Sequence, residues 1–472
     1  MYKHVTCYIK CTVRLCIVIT CSRPPSHCLS SCVEAAINAS SVVSDMTAPI
    51  LQAFHFDLDS GQLTLTFSET ILARSVNTTA FSLQSTSPAN NDTLAYTLTG
   101  GEVLTPDGPL VTIELSADDL DEIKLISGLA AGVTSTYLML TELAVTDAEG
   151  NQVEPLTRSN PANVTSFTED TTPPELRSFV LDLDNGQLNL NFTEAVLTTN
   201  FEFNGFMLSS GIVLNESTVI TLDGGNITGI DRSVISVTLT SSNVNTIKQF
   251  SNGIGLEVNS TLLSIAAESL FDTSANPLNG TAFLPAENII VDSVPPELLS
   301  FALDMNTGEL TLNFSETVFA VDVIPSELGL LSTTMLNSST SCYNITGGSV
   351  MQVNNTSVVI ELTTGDLNEI KRRPLLAIDQ NSTNLAVLAT AVRDTTGNTI
   401  VPISFYDALR ASSYVMDMTK PQLASFDLDL NTGELVLKFT ETVNATSLDI
   451  QKYSFLDALR SNATANYTLT GN

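Results

Sequence analysis

One block of 17 residues occurs four times in the 472-residue chain, and its spacing is nearly constant. The four copies begin at Phe54, Phe179, Phe301 and Phe426, so successive copies lie 125, 122 and 125 residues apart. Self-similarity at a fixed period is the signature of a repeat architecture. Because this period has the length of a whole domain, the sequence predicts separate domains in tandem, not a solenoid of short units.

Each copy is interpreted as two strands joined by a turn. In the first copy apolar residues take every second position over 54–58 and again over 63–67. Such alternation predicts strands with one buried face. A two-residue turn at Ser60-Gly61 would pair Leu58 with Leu63 and place both apolar sets on the same face.

Other segments recur in step with this hairpin. A short motif ending in Ile-Lys occupies 120–124, 244–248 and 367–371, and we interpret it as one helical turn between strands. A later turn begins at Asp147, Asp272 and Asp394, and proline-containing segments join successive copies. Short strands separated by frequent turn signals, with almost no long helical period, predict an all-β sandwich in each copy.

The repeat divides the chain into five segments. We expect a poorly structured leader over 1–45, repeats over 46–170, 171–292 and 293–417, and an incomplete repeat over 418–472. The last copy stops less than halfway through the pattern, and half a sandwich leaves an apolar face and strand edges uncovered. The chain is therefore expected to be a fragment of a longer protein.

Three features of the repeat carry a family resemblance. They are Phe67-Ser68-Glu69 at a strand end, the aromatic anchor Phe81, and the turn that follows Val145. This pattern resembles the S-layer-type bacterial Ig-like domain over about residues 46 to 472, although Ala275 stands where glycine is expected. The resemblance implies tandem Ig-like β-sandwich domains in a beads-on-a-string array, with the last one truncated. Such domains occur in surface-layer proteins, adhesins and large extracellular proteins.

Composition argues against two classes of function. With 51 acidic and 19 basic residues, the net charge of −32 disfavours nucleic acid as a partner, because that affinity depends on clustered Lys and Arg. The repeats hold one histidine, His55, and the other copies place Val180, Ala302 and Asp427 there. A hydrolase triad thus lacks a base, and we expect no enzyme. Cys342 is expected to be a buried free thiol, not a nucleophile.

The N-terminal segment has its own composition. It holds six of the seven cysteines, and Lys3, Lys10 and Arg14 precede an apolar run over 15–19. This order predicts a secretory signal peptide, and the alternative is a mispredicted start that is absent from the mature protein. No stretch of about 18 apolar residues follows, so we expect no membrane span within this chain.

The chain is rich in acceptor sites for N-linked glycans, which indicates a secreted glycoprotein. Asn191 and Asn313 alternate with buried positions and should face outward. The alternative is a bacterial protein that uses Asn and Thr as β-surface residues. The predicted glycosylation sites are Asn77, Asn91, Asn163, Asn191, Asn215, Asn226, Asn259, Asn279, Asn313, Asn344, Asn381 and Asn444.

Calcium is the one cofactor for which the sequence gives a candidate. Carboxylates recur at turns and joints, where Ca²⁺ would stiffen an array. Hydrogen bonding of Asp within turns explains the same pattern without a metal. Glu69, Glu194, Glu316 and Glu441 share one register, and we favour solvent-facing side chains there over ligands. The candidate ligands are Asp57, Asp59, Asp147, Asp170, Asp182 and Asp184.

The sequence therefore predicts a non-enzymatic extracellular or cell-surface protein. Its repeats would act as spacer and adhesion modules, with other proteins or glycans as partners. One alternative is the stalk of a larger receptor or enzyme whose catalytic domain lies beyond position 472. Another is a prokaryotic surface-layer protein or adhesin.

Overall fold

The computed structural model describes residues 43–199, 201–212, 219–228, 232–249, 253–337, 339, 341–458 and 463–471. These residues form short strands and three α-helices, which confirms the predicted all-β fold. The chain forms two compact units, Met1–Thr171 and Thr172–Asn472. Residues 1–42, and with them nearly all of the predicted leader, lie outside the described residues.

Repeat 1 is a sandwich of two sheets. One sheet has the strand order β5-β6-β2-β1-β9 and the other has β4-β3-β7-β8. Phe54 and Ile113 from the first sheet and Phe81 and Leu138 from the second are at most 1% exposed and share one core. The elements are β1 Leu51–Asp57, β2 Gln62–Ile71, β3 Phe81–Gln84, β4 Ala95–Thr97, β5 Glu102–Val103, β6 Gly108–Glu114, α1 Ala117–Leu125, β7 Tyr137–Leu140, β8 Ala162–Asn163 and β9 Ser166–Thr168.

Repeat 2 has the same plan and a core of its own. Its sheets are β15-β16-β11-β10-β20 and β14-β13-β17-β19, and β12 and β18 form a two-stranded ribbon. The elements are β10 Leu176–Asp182, β11 Gln187–Phe192, β12 Val196–Leu197, β13 Phe206–Ser209, β14 Val219–Thr221, β15 Gly225–Thr228, β16 Val234–Leu239, α2 Ser241–Gln249, β17 Leu262–Ile265, β18 Phe271–Asp272, β19 Thr281–Pro285 and β20 Asn288–Ile290.

Repeat 3 again pairs a five-stranded sheet, β25-β26-β22-β21-β29, with a four-stranded one, β24-β23-β27-β28. In each of the three repeats the first strand runs parallel to the last and antiparallel to the second. The elements are β21 Leu298–Asp304, β22 Glu309–Phe314, β23 Leu328–Leu331, β24 Cys342–Asn344, β25 Gly348–Asn354, β26 Ser357–Leu362, α3 Thr364–Arg372, β27 Asn384–Val387, β28 Leu409–Arg410 and β29 Ser413–Val415.

Repeat 4 is a pair of hairpins, β30 with β31 and β32 with β33. Phe426 is 51% exposed, whereas its counterpart Phe301 in repeat 3 is fully buried. The hairpin of β32 and β33 covers this face only in part, with the ring centroids of Phe426 and Phe455 5.9 Å apart. The strands are β30 Leu423–Asp429, β31 Glu434–Phe439, β32 Ser454–Leu456 and β33 Asn466–Thr468.

The predicted hairpin register is wrong by two residues. Phe56, not Leu58, lies opposite Leu63, so the loop has four residues. The reason is Asp57, whose Oδ1 accepts hydrogen bonds from the backbone N–H groups of Asp59 and Ser60 and stabilises the wider turn. An even shift leaves the faces unchanged, so the predicted apolar face remains the buried one.

Two further predictions are corrected. The Ile-Lys motif forms a nine-residue helix, not a single turn, because a polar segment before it joins the helix. Ser116 and Thr363 cap two of these helices by accepting the N–H groups of Asp119 and Asp366. The thiol of Cys342 is exposed, not buried, because β24 is an edge strand and position 342 lies on its outer face.

Candidate functional site

Each helix carries a lysine one residue before its last residue. These are Lys124 in α1, Lys248 in α2 and Lys371 in α3. A cation in the last turn interacts favourably with the negative end of the helix dipole. Lys124 Nζ lies 2.8 Å from Asp170 Oδ2, and both side chains are at least 97% buried.

Lys248 connects repeat 2 to repeat 3. Its Nζ lies 2.8 Å from Oδ2 of Asp292, in the connecting segment, and 2.5 Å from Oε2 of Glu316, just after β22. The hydroxyl of the next residue, Thr317, donates to the carbonyl oxygen and Oδ1 of Asn245 in α2. We call Lys248, Asp292 and Glu316 the 2–3 joint.

The same contacts occur between repeats 3 and 4. Lys371 Nζ lies 2.9 Å from Asp417 Oδ2 and 3.1 Å from Glu441 Oε2. Thr442 donates to the carbonyl oxygen of Asn368, as Thr317 does to that of Asn245. The lysine–glutamate separation is 68 residues in the 2–3 joint and 70 in this 3–4 joint. Because the same atoms meet at equivalent positions of the repeat, the 3–4 joint is a repeated arrangement and not a chance surface pair.

The 2–3 joint is the more deeply buried of the two. The side chains of Lys248, Asp292 and Glu316 are 6%, 0% and 9% exposed, whereas Asp417 is 27% exposed. Surface ion pairs contribute little to stability, but removal of one partner of a buried pair is costly. The 2–3 joint should therefore couple its two repeats more strongly than the 3–4 joint couples repeats 3 and 4.

Burial shifts the protonation equilibria of the 2–3 joint. Burial by itself lowers the pKa of Lys248, but hydrogen bonds to Asp292 and Glu316 outweigh it and leave the pKa raised, so the ammonium form persists. Burial raises the pKa of Glu316 to about 7; Lys248 opposes this rise, and the charges of Asp292 and Asp394 add to it. Burial thus disfavours the ionised form of Glu316, and Lys248 favours it.

Asp394 brings a third carboxylate to the 2–3 joint. It opens the turn 394–398, where its Oδ1 accepts the N–H groups of Thr396 and Asn398, and its Oδ2 accepts Nδ2 of Asn398 at 2.7 Å. One carboxylate oxygen each from Asp292, Glu316 and Asp394 lie within 4.8 Å of one another. Asp45, Glu69 and Asp147 form a corresponding group in repeat 1.

Most of the predicted calcium ligands make turn or segment contacts. Asp59 Oδ1 accepts the N–H of Thr171 at 2.8 Å, and Asp57 holds its own hairpin turn. Asp182 accepts two hydrogen bonds from Asn185, and Asp184 accepts the N–H of Ser293. The structure does not bring Asp57 together with Asp59, or Asp182 with Asp184, into a shared carboxylate group.

Asp147 and Asp170 are placed differently. Asp147 is 2% exposed and caps the turn 147–151, and it belongs to the group with Asp45 and Glu69. Asp170 pairs with Lys124. Calcium binding by the six predicted aspartates stays a prediction.

The favoured solvent-facing orientation of the strand-end glutamates is wrong for three of them. The side chain of Glu441 is 11% exposed and pairs with Lys371. Glu194 and Glu316 are 8% and 7% exposed. Sequence reasoning found the glutamate register, the Asp of the connecting segments and the Ile-Lys motif separately. It missed Lys248 and Lys371 as the groups that join them, although the available signal was that each lysine recurs at the equivalent repeat position, 68 or 70 residues before the next strand-end glutamate.

The glycan acceptor residues are mostly accessible. Asn191 and Asn313 are half-buried on the outer faces of β11 and β22, as the alternation predicts. Asn313 Nδ2 donates to Ser300 Oγ, and its Oδ1 accepts from Ser357 Oγ. Asn215 lies outside the described residues. The exposed acceptors are Asn77, Asn91, Asn163, Asn226, Asn259, Asn279, Asn344, Asn381 and Asn444.

Within the described ranges, none of the helices has the length and apolar character that a bilayer crossing requires.

No family model matches the chain, and no curated protein matches it. Solved structures do match, at low identity. The S-layer protein rSbsC(31-844) is 12% identical over 90% of this chain and 67% of that chain, with a TM-score of 0.18.

Two further structures have similarly low sequence identities and TM-scores. The N-terminal four Ig domains of Dscam1 isoform 4.4 are 9% identical over 84% of each chain, with a TM-score of 0.15. The FN1-FN3 domains of chicken CNTN1 are 9% identical over 77% of this chain and 98% of that chain, with a TM-score of 0.19. At these TM-scores the likenesses carry no functional argument. The chain has a tandem Ig-like sandwich fold by its own strand order and separate cores.

Proposed function

We propose that the chain is a non-enzymatic extracellular spacer whose sandwich repeats are held at fixed spacing and present their outer faces to other proteins or glycans. The observation that carries the proposal is the 2–3 joint. Lys248 binds the connecting segment and the following repeat at once, and Lys371 repeats this arrangement. A spacer needs such joints, because a freely jointed chain of domains does not hold its ends apart.

Two other observations support the extracellular setting. Nine of the predicted glycan acceptors are exposed on the surfaces of the repeats. The net charge of −32 keeps copies of the chain apart and favours cationic partners. The absence of catalysis in the proposal is supported by a different observation. His55, the one histidine of the repeats, lies on the sheet, and its Nδ1 hydrogen-bonds to the carbonyl oxygen of Ser166.

Expression of the full chain with its own N-terminus in secretory eukaryotic cells tests whether the protein is extracellular. We expect protein in the medium or at the cell surface, with a loss of mass after treatment with peptide N-glycosidase. A chain that stays in the cytosol with unmodified mass would contradict the proposal.

Small-angle X-ray scattering tests the spacer role. We expect the Lys248→Met, Lys371→Met double variant to show more flexibility than the wild type, in buffer containing a chelator. The matched control is Lys438→Met, which removes an exposed ion pair with Asp427 within one hairpin. Equal scattering profiles for wild type and the joint variant would refute the role of the joints.

A further inference from the structure

The 2–3 joint buries more negative charge than its lysine neutralises. Counted as whole residues, Asp292, Glu316 and Asp394 are 4%, 7% and 3% exposed, and Lys248 is the cation that pairs with this group. Three carboxylates and one ammonium leave a formal charge of −2. Buried charge is costly unless it is paired, so the group requires either protonation or a second cation.

Two buried oxygens of the group lack a hydrogen-bond partner among the described residues, and one of them, Asp292 Oδ2, has the ammonium of Lys248 2.8 Å away. Glu316 Oε2 faces Lys248, while Glu316 Oε1 is buried without a hydrogen-bond partner among the described residues. The corresponding atom in the 3–4 joint, Glu441 Oε1, lacks a partner in the same way. An acceptor oxygen left buried and unpaired at the same place in two joints indicates a ligand atom, because an unpaired buried acceptor is otherwise selected against.

We propose that the 2–3 joint binds one Ca²⁺ ion through Glu316 Oε1 and one carboxylate oxygen each of Asp292 and Asp394. Lys248 stays on Glu316 Oε2, and one divalent ion brings the formal charge of the group to zero. The donors are all hard oxygens without His or Cys, and Ca²⁺ tolerates an irregular set completed by water. Asp394 Oδ1 already accepts the N–H groups of Thr396 and Asn398 and the hydroxyl of Thr396. Asp394 Oδ2 accepts Nδ2 of Asn398 and keeps a lone pair for the metal.

This inference rests on the proposed function and deepens it. The three ligands come from the connecting segment, the end of β22 and the turn 394–398, so a bound ion would fix the connecting segment against repeat 3 while Lys248 fixes it against repeat 2. Extracellular modules bind Ca²⁺ with dissociation constants of about 10⁻⁴ to 10⁻³ M, and we expect this range here.

Flow dialysis of ⁴⁵Ca²⁺ against the chelator-treated full chain tests the site. We expect Glu316→Gln to bind one equivalent fewer than the wild type. The matched control is Glu309→Gln, an exposed glutamate of β22, which should bind the wild-type number. Absence of saturable Ca²⁺ binding in the wild type, or an unchanged stoichiometry in Glu316→Gln, would overturn the inference.

A second measurement does not depend on the folding of a variant. Ca²⁺ added to the wild type should slow amide hydrogen exchange in peptides covering 292–298 and 394–398, and Mg²⁺ at the same concentration should do so less. Unchanged exchange with Ca²⁺ would also overturn the inference. The scattering comparison is made in chelator, and secretion and glycan attachment do not report on Ca²⁺ binding. A failure of the Ca²⁺ site would therefore leave both tests of the proposed function unaffected, and the two proposals can fail separately.

Discussion

Ala275→Gly should stabilise repeat 2. Ala275 occupies the fourth position of the turn 272–276 with φ of +69°, where the equivalent residue in repeat 3 is Gly397 with φ of +96°. The turns are otherwise alike, since Asp272 Oδ1 accepts the N–H of Asn276 at 2.7 Å and Asp394 Oδ1 accepts that of Asn398 at 2.8 Å. The left-handed backbone is thus imposed on alanine by the hydrogen bonds of its neighbours.

The magnitude follows from two opposing terms. A left-handed conformation costs an L-residue about 1–2 kcal/mol. Glycine recovers that cost but adds about 0.4–1 kcal/mol of conformational entropy to the unfolded chain. The net gain should be about 0.5–1 kcal/mol, which for a domain of this size corresponds to a rise in Tm of about 2–5 °C.

Scanning calorimetry of the full chain measures this change, and hydrogen exchange of peptides within 262–286 assigns the transition to repeat 2. The matched control is Gly397→Ala, where an added Cβ meets no heavy atom within 4 Å, so only the backbone conformation opposes it. Repeat 3 should lose about 1 kcal/mol. If Ala275→Gly were neutral or destabilising while Gly397→Ala destabilised repeat 3, the argument from backbone conformation would be refuted.

Three further predictions concern single side chains. Burial raises the pKa of Asp366, but hydrogen bonds from Tyr343, Thr346 and Thr363 outweigh it and lower the pKa below its usual 3.8. This carboxylate therefore stabilises the fold above about pH 4 and loses its contribution as the pH falls through the folded pKa. Asp366→Asn should cost about 1–3 kcal/mol at pH 7 and less at pH 3 in urea unfolding, and a pH-independent cost would contradict this. Glycopeptide mass spectrometry should find lower occupancy at Asn313, which hydrogen-bonds to two serines, than at exposed Asn279, and full occupancy at Asn313 would argue against it. The thiol of Cys342 should react with a maleimide in the folded protein; labelling that requires urea would show that it is protected.

The fold could be predicted because period-two alternation and a fixed repeat identify the buried faces and the domains even when the predicted strand register is wrong by a few residues. The register shift at Asp57 is an example, since an even slip preserves which side chains are buried. Cys342 was misplaced because a single residue in a three-residue edge strand has too few neighbours to show a period.

The joint could not be predicted in full, because it depends on side chains that are distant in sequence. Lys248 and Glu316 are 68 residues apart, and no local sequence pattern predicts the ion pair between them. A strand-end glutamate is ordinarily solvent-facing, and only the burial of Glu316 beside Lys248 reverses that expectation. Carboxylates paired in sequence, such as Asp57 and Asp59, proved to serve turns and a connecting segment.

A double-mutant cycle between Lys248 and Glu316 tests most directly whether the joint couples repeat 2 to repeat 3. The four proteins are the wild type, Lys248→Met, Glu316→Gln and the double variant, and hydrogen exchange of 241–249 in chelator gives the opening free energy of each. We predict a coupling of about 1–3 kcal/mol at the 2–3 joint, against less than about 1 kcal/mol for the exposed control pair Arg372 and Glu369. Additive effects at Lys248 and Glu316, within about 0.5 kcal/mol, would contradict the joint as described here.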